Sequence, residues 1–154
     1  MTKKFDVGPD SARIGLIQYN NRPTKEFEFL DDSDEIGVKL THLEYNAGGT
    51  MTGKAMKFAY ENYFKNVRKV DGQKVNQALV VITDGKSSDR VDIISKKLKK
   101  KGVNVLALGY NSSDKDQLLD IAGGDEGKVF QGQTIQSLTS FNDQMVKKIC
   151  KLGN

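Results

Sequence analysis

The hydrophobic positions of this chain follow two rhythms, and the switch between them marks its elements. Residues 12–19 form a largely apolar run with β-branched and aromatic members, which predicts a strand. The cluster Asn20-Asn21-Arg22-Pro23 predicts a turn. Residues 24–29 alternate, with Phe27 and Phe29 on one face, and predict a half-exposed edge strand antiparallel to the first. A short helix is expected from Ser33, as its cap, through Leu43. After the loop at 48–53, a helix to about Val67 would bury Met56, Ala59, Tyr60, Tyr63 and Val67.

Residues 78–83 are the most continuous apolar run, the pattern of a parallel strand covered on both faces. Asp84 and Gly85 end it. Val91, Ile94 and Leu98 give the stripe of the next helix, which Gly102 terminates. Residues 103–110 predict another strand, and Ser113 with Asp116 predicts a capping box before Leu118, Leu119 and Ala122. Residues 128–130 predict a short strand. Thr134 is expected to cap one last helix, striped by Leu138, Phe141, Met145 and Ile149. Strands alternating with helices predict a doubly wound α/β fold: an open, mostly parallel, Rossmann-like sheet with helices on both faces and one antiparallel edge strand. Such sheets bind ligands outside the carboxyl ends of their strands.

Composition narrows the picture little. The 154 residues suit a single domain, with 37% hydrophobic and 29% charged residues. No apolar run is long enough to span a membrane, and the first residues carry no apolar core of a signal peptide. The net charge of +4 owes most to Lys96, Lys97, Lys99, Lys100 and Lys101. The plain reading of that run is a solvated helix end. A heparin or nucleic-acid patch is the other reading; no aromatic residue interleaves the run, which argues against base stacking, and no nucleic-acid partner is expected. Cys150 is the single cysteine and His42 the single histidine, so neither a zinc site nor a catalytic dyad can be assembled from them. Asn111-Ser112-Ser113 is a glycosylation sequon, meaningful only in a secreted chain.

Two features carry candidate chemistry. Asp84 follows a buried strand, where it is either a turn aspartate or a ligand for a hard divalent cation. The loop from Gly48 through Gly53 and Lys54 nearly spells a phosphate-binding loop, with Asp84 as the distal magnesium aspartate of a nucleotide hydrolase. Against that, Ala55 replaces the magnesium hydroxyl, and residues 41–46 are too polar for a launching strand.

Four segments in order resemble von Willebrand factor type A domains, particularly those of collagens and matrilins. They run from Val7 to Tyr19, from Gly48 to Met56, from Val80 to Ser87 and from Gly102 to Gly109. The resemblance implies a non-enzymatic, extracellular protein-binding module with a metal-ion-dependent adhesion site (MIDAS). Thr52 would supply a hydroxyl and Asp84 a carboxylate to a magnesium ion, which keeps a position open for an acidic residue of a matrix or cell-surface partner. A glycosaminoglycan is a further partner class, and an intracellular scaffold of the same fold is an alternative. The family's Asp-x-Ser-x-Ser motif and first, central strand have no counterpart before Val7. The expectation is one domain over 1–154 that is incomplete at its N-terminus, with an incomplete metal site of Thr52 and Asp84, weak or absent magnesium binding, and a gap in the sheet. The resemblance also implies a partner for Cys150 in that upstream region.

Overall fold

The computed structural model describes residues 4–150, apart from the side chains of Ile135 and Leu138. Strand β1 (Ile14–Tyr19) pairs antiparallel with β2 (Pro23–Leu30) across the predicted turn. Helix α1 (Ser33–Thr41) follows and buries Ile36. Its cap is Asp32 rather than Ser33: the Asp32 carboxylate accepts from the backbone N–H groups of Asp34 and Glu35, at 2.8 and 2.9 Å. A carboxylate at this position also complements the positive end of the helix dipole.

Helix α2 (Thr52–Asn62) ends before the predicted Val67, and a small hairpin follows, β3 (Lys69–Val70) and β4 (Gln73–Lys74). Its turn is Asp71-Gly72, both at positive φ (50° and 79°), the conformation that this dipeptide favours. Strand β5 (Gln77–Thr83), helix α3 (Asp92–Lys100), strand β6 (Val103–Tyr110), helix α4 (Lys115–Ile121) and strand β7 (Val129–Gly132) alternate strand and helix. The order β5-β6-β7 is parallel throughout. Gly102, at φ 84°, lies just beyond the α3 cap residue Lys101, as the apolar stripe predicts.

Helix α4 is capped by Asp114, which accepts from Gln117 N at 2.9 Å, and not by Ser113. Ser113 is buried instead and takes a hydrogen bond from Gln131 Nε2. The predicted last helix is two, α5 (Ile135–Ser140) and α6 (Asn142–Cys150), broken at Phe141. The Leu138 side chain of the predicted stripe lies outside the described residues, while Met145 is fully buried.

The sheet is covered on both faces. One face carries Val81, Val103, Val105 and Ala107 under α2, α3 and α4, with Met56, Leu98, Leu118 and Ile121 buried there. The other carries Leu106, Leu108 and Phe130 against Met145. The core of the fold thus sits around β6.

The β1–β2 ribbon does not join that sheet. No backbone ladder links β1 to β5 among the described residues. The consequence shows in burial: β5 was expected to be covered on both faces, yet most of it is half-buried and Ile82 is 53% exposed. The apolar run is present, but among the described residues β5 has a strand neighbour on one edge only.

Candidate functional site

At the carboxyl end of β5 the polar groups of three segments converge. The loop before α2 has no side-chain cap, because Met51 occupies the N-cap position. The free N–H groups of the first turn must therefore find partners elsewhere. Asp89 and Ser87, from the loop after β5, supply them. Asp89 accepts from Gly53 N and Lys54 N at 2.8 Å each, and Ser87 Oγ accepts from Thr52 N at 2.9 Å. Ser87 Oγ in turn donates to Asp89 Oδ1 at 2.6 Å. The approach is so close that a Cβ on Gly53 would lie 2.2 Å from the Arg90 carbonyl oxygen, so only glycine fits there.

Thr52 is wholly buried. Its hydroxyl lies 3.3 Å from the Tyr19 phenol, which lies 3.2 Å from the carbonyl of Ile82. A carbonyl can only accept, so the single phenol proton goes to Ile82, and Thr52 Oγ1 donates to Tyr19. Asp84, two residues beyond Ile82, is exposed and has no hydrogen-bond or ion-pair partner among the described residues. Tyr19, at the end of β1, thus ties the Thr52 helix to the strand that carries Asp84.

Below this edge the α4 start is locked by charge. Lys86 reaches Asp114 at 2.9 Å. The hydrogen bond to Asp114 raises the Lys86 pKa, and the same bond, with the backbone N–H of Gln117, lowers that of Asp114. Gln117 also accepts from Ser87 N at 2.6 Å, so the loop that presents Asp84 is held from both sides.

No group of three or more His, Cys, Asp or Glu side chains comes together among the described residues. One hydroxyl and one carboxylate leave most of an octahedron to water, so these residues alone do not fit a tightly held magnesium. The phosphate-loop alternative is not favoured either. Residues 43–51 contain no strand to launch such a loop, and Gly53 and Lys54 already belong to α2, where Asp89 occupies their N–H groups.

Tyr19, Ser87 and Asp89 were not singled out from the sequence. One signal was available: a helix opening on Met51 without a Ser, Thr, Asp or Asn cap must be capped from elsewhere.

The profile of the von Willebrand factor type A domain matches residues 1–144. The human collagen alpha-5(VI) chain is 36% identical over 152 residues, covering 97% of this chain and 6% of the collagen. Mouse matrilin-2 is 28% identical over 150 residues, covering 94% of this chain and 16% of matrilin-2. The chain therefore spans a small part of the curated relatives it matches. Among solved structures, proximal thread matrix protein 1 from the mussel byssus superposes with a TM-score of 0.85 at 25% identity, covering 97% of this chain and 38% of that one. A form of the same byssus protein with a zinc-occupied MIDAS motif superposes with a TM-score of 0.84 at 23% identity, over 94% of this chain and 36% of that one. Fold, motif order and sequence agree, and the chain belongs to the von Willebrand factor type A domain family.

Proposed function

We propose that this chain is a non-enzymatic protein-binding module of an extracellular matrix or cell-adhesion protein, which engages an acidic residue of its partner at the carboxyl edge of the sheet. One observation carries the reading. The Tyr19 phenol links the buried Thr52 hydroxyl to the carbonyl of Ile82, two residues before Asp84, which is exposed and without a hydrogen-bond or ion-pair partner among the described residues. These are oxygen donors of the kind a hard divalent cation uses. The collagen and matrilin relatives support the matrix setting, and the byssus protein of the same fold, described with a zinc-occupied MIDAS motif, supports a cation site.

In this reading Thr52 and Asp84 contribute two positions to a magnesium ion, and water and a partner carboxylate take the others. The affinity of the chain alone is then low. Magnesium titrated calorimetrically into residues 1–154 is expected to bind in the millimolar range or more weakly. Asp84→Ala should abolish that signal, and Thr52→Val should diminish it. Micromolar affinity, or a weak signal that both variants retain, would overturn the assignment. Retention of ATP in equilibrium dialysis would instead restore the nucleotide-hydrolase reading.

A further inference from the structure

A second surface lies on the flank of the molecule, between α2 and α3. A groove of about 280 Å³ runs there. Its walls carry Lys54 and Lys57 from α2, and Arg90, Ile93 and Lys97 from the α3 side. Two acids share the walls, and both are already engaged. Asp89 gives its oxygens to Gly53 N, Lys54 N and Ser87 Oγ. Glu61 pairs with Lys57 at 3.7 Å. Arg90 is paired outside the groove, with Asp92 at 2.9 Å. Lys54 and Lys97, both exposed, have no ion pair among the described residues. Beyond Lys97 the cationic row continues to Lys101, whose ammonium sits 4.8 Å from the Tyr60 ring centre.

Within this basic wall stands an apolar side chain that the core does not use. Ile93 is 50% exposed, although Ile94 and Leu98 on the same helix are buried. Core packing accounts for Ile94 and Leu98 and leaves Ile93 without a role. An isoleucine between unpaired lysines complements a segment with the opposite arrangement: an apolar side chain flanked by carboxylates.

We infer that the α2–α3 groove is a second, metal-independent docking site for an extended acidic peptide segment that places one apolar side chain against Ile93. From Asp92, where α3 begins, to Lys97 the helix rises about 7.5 Å, which about two to three extended residues span. A sulfated polysaccharide satisfies the lysines but brings no apolar side chain for Ile93. Single-stranded nucleic acid would call for a free aromatic face for stacking, and the Tyr60 ring is half-buried under Lys101; a duplex, like the polysaccharide, brings no apolar side chain for Ile93. The inference goes beyond the edge-site reading, since it uses neither Thr52 nor Asp84, and either can fail without the other.

The test is fluorescence anisotropy in EDTA, with the full chain and a labelled pentapeptide of one leucine between two pairs of glutamates. The probe should bind, and more weakly as salt rises. The double variant Lys54→Glu, Lys97→Glu should weaken it about tenfold. Ile93→Ser should weaken it about fivefold, the loss expected for a half-buried aliphatic contact. An alanine in place of the peptide leucine should cost the same and show no further loss with Ile93→Ser. All three side chains are exposed, so unchanged melting of the variants by circular dichroism confirms that the fold is intact. The inference is overturned if the probe does not bind, if it binds equally to the variants, or if a labelled heparin oligosaccharide binds more tightly than the peptide and is indifferent to Ile93→Ser.

Discussion

Strands β5 and β6 lie side by side in register, Gln77 against Val103 through Thr83 against Gly109, and both carry long apolar runs. Their surroundings differ sharply. β6 is buried from Val103 through Gly109, with β5 on one edge and β7 on the other. In β5 only Val81 and Thr83 are buried, and Ile82 is about half exposed. The Tyr19 phenol at the end of β1 reaches the Ile82 carbonyl of β5, and among the described residues no ladder joins the two strands. An apolar run therefore records what a strand needs around it. Whether the need is met depends on the neighbours, and for β5 it is half met.

The largest expected effect comes from putting the two strands in direct competition. Leu106→Ala removes a wholly buried side chain from β6 and should cost ~2–5 kcal/mol. Ile82→Ala on β5 should cost under ~1 kcal/mol, because water already reaches that side chain. Urea denaturation of both variants measures the difference. Equal losses would mean that another chain covers Ile82 in solution, and light scattering would then show association. Amide hydrogen exchange sharpens the same contrast, with β6 protected more strongly than β5.

Next in size is the attachment of the ribbon. The Tyr63 phenol lies 2.7 Å from the carbonyl of Phe27 and 3.2 Å from that of Leu16, so one side chain of α2's cap holds both strands. Tyr63→Phe should lower stability by about 1–2 kcal/mol. Burial, with smaller contributions from Glu28 and Glu26, pushes the phenol up to about 12 from 10.0. The folded state thus holds this proton more tightly than the unfolded state. Its contribution is fully present below pH 10 and is lost as pH rises toward 12. The wild-type melting temperature should fall over that window more steeply than that of Tyr63→Phe.

A similar loss should follow at the α2 start. Asp89→Ala strips the cap from Gly53 and Lys54 and should cost about 1–2 kcal/mol. The smallest effect is expected at the lysine-rich end of α3. Reversing Lys96 and Lys100 to glutamate should change stability by under ~1 kcal/mol, since both are exposed and unpaired among the described residues. Lys101 belongs to a different case. It was expected to be solvated like its neighbours, but it donates to the Lys65 carbonyl at 3.0 Å and covers the Tyr60 ring.

Local signals made much of this legible in advance. The runs of β5 and β6, the Val91, Ile94, Leu98 stripe and the glycine after α3 depend on neighbours in sequence, and each stands where expected. The break at Phe141 was not legible, because the spacing of Phe141, Met145 and Ile149 fits an unbroken helix equally well. The β3–β4 hairpin was overlooked although its Asp71-Gly72 turn is a strong local signal. At the edge site Thr52 and Asp84 were visible as residue types in a motif order. The Tyr19 relay and the Asp89 cap were not, because both act across more than thirty positions of chain.

The attachment of the ribbon has a mechanical meaning. Load passing between β5 and β6 is shared by a parallel ladder, whose bonds must fail together in shear. Load on the β1–β2 ribbon is carried by separate links: Tyr19 to Ile82, Tyr63 to the ribbon carbonyls, Gln18 to Glu44, and Met51 N to the Asn20 carbonyl. Such links fail one after another. A chain of this design yields in two stages under tension, the ribbon peeling at low force and the β5–β6–β7 body extending only later. Pulling from the β1 end in an optical trap should resolve the two steps. The first stage leaves α2 and α3 packed on the β5–β6–β7 body and should reverse when the load is released.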